Sequence, residues 1–278
     1  MLTRNLALIS EVEGHDPSDV ARVAAALQRQ ASRDFGPIWE VSATVDAFPR
    51  AKDMPVGYWP MFVRNDIEQE GAEGIHLDKH GQPYALITYS DSWSLTASHE
   101  MCEMLADPSG NRLVPGKSPK PDQGRVAFLL EVCDPSEAAE FGYTVNDVLV
   151  SDFYTPHFFD PVAVEGVRYS FTGAIKKPRD ILAGGYISWI DPVSNQVWQE
   201  KWFQNGREIV EGPSLDGEVR SLRAEIDKWT PHPQLSKGLD PTDPTLEAAI
   251  AVGEQTAAAA DAKAAQLQEE IAAVLASA

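Results

Sequence analysis

Residues 94–108, Ser-Leu-Thr-Ala-Ser-His-Glu-Met-Cys-Glu-Met-Leu-Ala-Asp-Pro, constrain this chain more than any other stretch. Leu95, Met101, Met104 and Leu105 recur at helical spacing and give one apolar side. Ser94 or Thr96 can cap the start, and Pro108 ends the helix, because the residue before a proline is pushed out of the helical region. His99 and Glu103 stand four apart, so they share one face, one turn above the other. A helix presents two ligands to one metal ion in this way. Glu100 lies beside them, where it can hold a water on that ion. The pattern is H-E-x-x-H with Glu103 in the second histidine's place. Acidic residues four apart are common on solvated helices, so the five residues alone carry little. The apolar flanks add weight: a partly buried histidine beside two carboxylates needs a partner, and a metal supplies one.

Further ligands are expected from a separate element. Glu131 and Asp134 follow a strand-like run at 125–132 and rank first as completing ligands. Asp107 ranks below them, because it lies about 12 Å along the helix axis from His99 and reaches back only if the chain turns. One histidine with several carboxylates makes a hard ligand set. The H-E pattern points to zinc first, with manganese or calcium as alternatives. Around such an ion Glu100 is the candidate general base. His157, Tyr154 and Tyr143 are candidate donors to a developing oxyanion, and His157 is carried forward as the catalytic candidate.

Other polar residues read as ordinary. His76 and His80 sit in a polar stretch, 66–83, that holds Gly74, Gly81 and Pro83, and they are expected on a surface loop. His15, before Asp16-Pro17, is expected in a turn. Ser98 lacks a nucleophile-elbow context. Cys102, between two methionines, reads as inert core. The only two cysteines, Cys102 and Cys133, make no disulfide framework and are expected as buried thiols.

Taken in order, the chain opens with a strand at 5–12. Asp16-Pro17-Ser18-Asp19 then starts a helix running to about residue 35, with Val20, Val23, Ala24, Leu27 and Ala31 on one stripe and Gly36-Pro37 as its stop. Strands are expected at 39–48, 58–64 and 84–89, then the His99 helix, then a polar rim loop at 109–124. Short strands follow around 143–153, at 169–175 and at 184–189. Residues 196–203 return as a hairpin with Trp189, Trp198 and Trp202, read as packing. A short helix is expected at 219–229.

At S-H-E-M-C-E-M-L-A-D-P and E-V-C-D-P the chain resembles bacterial zincin-like proteins, whose helix has the form S-H-E-x-x-E-x-x-x-D-P followed by an E-x-x-D element. It is also similar to the plant phosphate-induced, Exordium-like proteins. The matching residues are His99, Glu100, Glu103, Asp107, Pro108, Glu131 and Asp134, and the resemblance spans roughly residues 1–160. It implies a metallopeptidase-like α+β fold: a mixed sheet carrying an active-site helix, with the strand at 84–89 as the edge that receives an extended substrate. The chain departs from the best-understood zincins at Glu103.

The chain has 42 acidic and 23 basic residues in 278, a formal charge of −19. That excess repels phosphates and argues against nucleic acid or an anionic membrane as a partner. No apolar run is long enough to span a bilayer, and the first ten residues lack a signal-peptide core, so a cytoplasmic protein, or one exported without a recognisable signal, is expected. Four regions are expected: a zincin-like metal-binding domain at 1–180, a β-hairpin and short helix appended at 181–230, a Pro-rich linker at 231–245 and an Ala-rich helical tail at 246–278. The function expected is that of a metal-dependent hydrolase acting on a peptide or protein. The alternative is a catalytically degenerate zincin-like module that docks a protein partner through its C-terminal helix.

Overall fold

Leu6, Ala7, Leu8 and Ile9 are fully buried in succession, as a strand covered on both faces allows. They belong to β1 (Thr3–Ser10), an inner strand of a five-stranded sheet. A computed structural model describes residues 2–230 apart from 69–71, 80, 204–205, 216–220 and 228. The linker and tail expected at 231–278, the docking helix among them, lie outside the described residues, as does His80.

After β1 comes α1 (Pro17–Arg29), capped by the Asp16 carboxylate, which accepts the Ser18 amide. Its buried residues are Val20, Val23, Ala24, Ala26 and Leu27, the stripe the sequence implies. Gly36-Pro37 does not stop the helical path. The chain widens into a π-helical turn at Gln30–Phe35 and continues as α2 (Gly36–Trp39). Pro37 falls in the first turn of α2, where its missing N–H is no loss. The stop is Glu40, which turns left-handed at φ 54°. The next strand therefore starts later than expected, as β2 (Ser42–Phe48). Then follow β3 (Tyr58–Arg64), β4 (Gly74–Lys79), β5 (Gln82–Thr88) and α3 (Trp93–Ala106).

The first sheet has the order β2-β1-β3-β5-β4. The β1/β2, β1/β3 and β3/β5 pairs are parallel, and β4 runs antiparallel to β5. Two expectations fail here. Residues 74–79 form a strand, not a loop. The strand at 84–89 is not the edge: β4 covers it and is itself the end strand. One face of the sheet, through Leu6, Leu8, Met61 and Ile87, packs on α1 and α3. The other, through Ala7, Ile9, Phe62 and Leu86, closes over Met54 and Ile67.

Beyond α3 come β6 (Leu113–Lys117), β7 (Arg125–Leu129), a short ladder of β8 (Tyr143–Val145) and β9 (Val148–Val150), then β10 (Tyr186–Ile190), β11 (Gln196–Phe203), β12 (Gly206–Ser214) and α4 (Leu222–Asp227). A second, antiparallel sheet runs β12-β11-β10-β7-β6. The expected rim loop at 109–124 thus contains an edge strand. The hairpin at 181–230 is no appendage, since β10 pairs with β7 and shares its core. Trp189 lies opposite Phe128 on one side and Trp198 on the other, and is fully buried. Its indole N–H donates to Gln123. Residues 169–175 hold only a single bridge, between Ser170 and Tyr154. With two such sheets and few helices, the chain is α+β, as expected.

Candidate metal centre

Helix α3 is buried almost all round, with Ala97, Met101, Met104 and Leu105 in the main core. It starts at Trp93 without a side-chain cap, and Ser94 instead donates to the Leu149 carbonyl. Glu100 and Glu103 are buried with it, while the His99 side chain keeps 12% of its surface open. Carboxylates at such depth need a cation.

The segment after β7 meets this helix face. The Cys133 amide donates to Glu103 Oε1, and the tight turn at Asp134–Ser136 follows directly. His99 Nε2 then lies 3.3 Å from Glu103 Oε1 and 3.3 Å from Asp134 Oδ1. Ligands on a tetrahedral zinc at about 2.0–2.1 Å stand roughly 3.3 Å apart, so the spacing is that of a coordination sphere. Glu103, Glu131 and Asp134 offer oxygens within 4.8 Å of one another, and so do the ligand atoms of His99, Asp134 and Glu137. These buried histidine, glutamate and aspartate groups are positioned to hold a metal ion.

Two further residues enter from elements that the sequence did not connect to this site. His76, on β4, points at α3, its Nδ1 3.4 Å from Glu100 Oε2 and 3.6 Å from Glu103 Oε2. It is buried, not on a surface loop as expected. The approach depends on Gly74, where a Cβ would stand 2.5 Å from both Glu100 Oε1 and Thr96 Cγ2. Arg223, on α4, puts Nη1 2.5 Å from Glu131 Oε2 and 3.4 Å from both Glu103 Oε2 and Asp134 Oδ2. Alternation around His76 was a usable signal: Ile75 and Leu77 pack on the far face of the sheet, so His76 must face the helix. Nothing local marks Arg223.

Charge governs this pocket. Burial would depress the His99 imidazolium, but Glu103 and its other anionic neighbours outweigh that and raise its pKa well above the ordinary value. Burial works against the Glu103 carboxylate, yet the charges of His99 and Arg223 hold its pKa well below the usual range. Burial pushes Glu131 up, against the pull of Arg223 and with the repulsion of Glu103 and Asp134. Burial likewise raises Asp134 and Glu137, each also crowded by its carboxylate neighbours. Without an ion, then, Glu131, Asp134 and Glu137 hold their protons to higher pH than free carboxylates do. A divalent cation bound there would compete with those protons, because its ligands must be neutral imidazole and ionised carboxylate.

Two expected site residues lie elsewhere. Asp107 caps the end of α3, and its Oδ2 accepts the Arg112 amide at 2.6 Å, so it forms a turn and joins no ligand cluster among the described residues. His157 is exposed and pairs with Asp160 at 3.0 Å, away from the His99 cavity. Tyr143 is taken too, donating to Asp34. Tyr154 is buried, and its hydroxyl lacks a hydrogen-bond partner. Cys102 and Cys133 are buried free thiols, as expected.

The turn that carries Asp134 is braced by β10. A Cβ on Gly185 would stand 2.6 Å from the Pro135 carbonyl oxygen and 2.7 Å from that of Asp134. Both contacts are backbone, so the turn must move to admit a side chain. Gly185→Ala is therefore expected to lose roughly 1–3 kcal/mol in urea unfolding. It is also expected to weaken metal binding in a titration, because Asp134 moves with the turn. Unchanged metal affinity would count against Asp134 as a ligand.

The centre opens on a cavity of about 340 Å³, which His99 and Glu100 line together with Gly74, Ile75, Glu137 and Arg223. No helix among the described residues is long and apolar enough to cross a membrane. No known family, curated protein or solved structure matches the chain, so the geometry of this centre is what bears on function.

Proposed function

We propose that this protein is a metal-dependent hydrolase, a zincin-type peptidase with zinc held by His99, Glu103 and Asp134. One observation carries the reading: an imidazole and carboxylates from two chain segments converge at coordination spacing beside an open cavity. The spacing favours zinc over calcium, which takes six to eight oxygens at longer range. A bound ion there supplies Lewis acidity to a substrate carbonyl and an acidified water. Glu100 lines the cavity next to the ligands, which suits a general base. As the end strand, β4 has one unpaired edge among the described residues, and its Gly74 and Ile75 reach the cavity. An extended peptide could add to that edge by backbone hydrogen bonds.

Arg223 favours a second reading. A guanidinium already among the carboxylates suits a site that binds without cutting, the degenerate module. Protein purified without chelator, assayed for metal and then against a peptide library read by mass spectrometry, separates the two. A hydrolase yields cleavage that chelator abolishes, zinc restores and His99→Ala lacks. Bound metal without cleavage selects the module, and absence of metal sinks the hydrolase.

A further inference from the structure

We propose that the centre is dinuclear: a second divalent cation binds between His76 Nδ1, Glu100 Oε2 and Glu103 Oε2, and Glu103 bridges it to the ion held with His99 and Asp134. The inference rests on the metal-centre reading and not on hydrolysis.

His76 is the starting point. Its side chain is fully buried, and neither ring nitrogen has a hydrogen-bond partner. Buried polar groups are rarely left so. Its neighbours at 3.4 Å and 3.6 Å are both carboxylate oxygens, too distant for N–H···O bonds of 2.7–3.2 Å. They match the separation of ligands around one ion. Glu100 Oε2 is likewise buried and unpartnered. His76, Glu100 and Glu103 come together with all three ligand atoms within 4.8 Å of one another.

One ion cannot serve both groups. Glu103 turns Oε1 to His99 and Oε2 to His76. A carboxylate with each oxygen facing a different imidazole is arranged as a bridge. Five carboxylates, Glu100, Glu103, Glu131, Asp134 and Glu137, supply these clusters, and Arg223 Nη1 meets three of them, Glu103, Glu131 and Asp134. Fully ionised, the five with the guanidinium carry a charge that two divalent ions with neutral imidazoles bring to zero. The mixed imidazole and carboxylate donors suit zinc, manganese or cobalt.

The test counts ions in the whole protein. Metal-free protein is loaded with zinc chloride or manganese chloride, dialysed, and measured by elemental analysis and native mass spectrometry. Two equivalents are expected in the wild type and one in His76→Gln. The manganese-loaded wild type should give an exchange-coupled electron paramagnetic resonance spectrum, and His76→Gln an uncoupled one. One uncoupled equivalent in the wild type, or two equivalents in both proteins, overturns the second site. If that lone equivalent disappears in His99→Ala, the first site still stands. A lone equivalent that survives His99→Ala and is lost in His76→Gln overturns both the first site and the bridge. No ion in the wild type overturns everything at once. If His76→Gln does not fold, the wild-type count and spectrum decide the matter.

Discussion

Arg223→Met is expected to destabilise the metal-free protein by about 3–5 kcal/mol, the usual cost of stripping one partner from a buried ion pair. Methionine retains most of the apolar stem, so the change isolates the charge. Arg223 Nη1 stands among Glu103, Glu131 and Asp134, all of them buried. Removing the guanidinium leaves Glu103 with His99, His76 and the Cys133 amide, and Asp134 with His99. The lower end of the range is expected, because Glu131 and Asp134 already resist ionisation and can keep protons. Zinc should reverse the effect. An ion that binds only the folded state adds about 4.1 kcal/mol at a thousand times its dissociation constant. The variant therefore needs metal more than the wild type does, and binds it more tightly once the competing cation is gone. Urea unfolding with chelator and with zinc measures both effects. Equal midpoints for variant and wild type in chelator would show that Arg223 balances no charge.

The sequence exposed what depends on local spacing and hid what depends on distant pairing. His99, Glu100 and Glu103 were legible because a helix turns every four residues into neighbours. Glu131 and Asp134 were legible as carboxylates at a strand end. Asp107 misled because the helix end that carries it also offers it the Arg112 amide, and a local turn outcompeted a distant ion. His157 has suitable chemistry but no element aims it at the site, and it is exposed beside Asp160. His76 was hidden by glycines. Gly74, which reads as loop, is the residue that lets β4 approach α3. Arg223 had no local signature, since its contact with Glu103 spans 120 positions. The same holds for the second sheet: β7 pairs with β10 across the whole 130–185 segment, and no short-range pattern reports such a partner.

Glu100→Gln is expected to lower the proposed hydrolysis by about 10²–10⁴-fold, the usual contribution of a positioned base. The substitution preserves volume, which matters because Glu100 is buried against Gly74 and Thr96. It removes the group able to take a proton, while His99, Glu103 and Asp134 keep their ion. Glu100 Oε2 also faces His76, so the same change weakens the second cation site, and a lost ion could imitate a lost base. His76→Gln separates the two causes, since it removes the nitrogen ligand and spares the carboxylate. If proton transfer is the role of Glu100, its glutamine variant falls far below His76→Gln in kcat. Equal losses would assign the effect to the second ion. Full activity in Glu100→Gln would mean that the cleavage comes from another protein in the preparation. The comparison must be made at matched metal loading, because only then does the ratio of the two variants report the proton and not the ion.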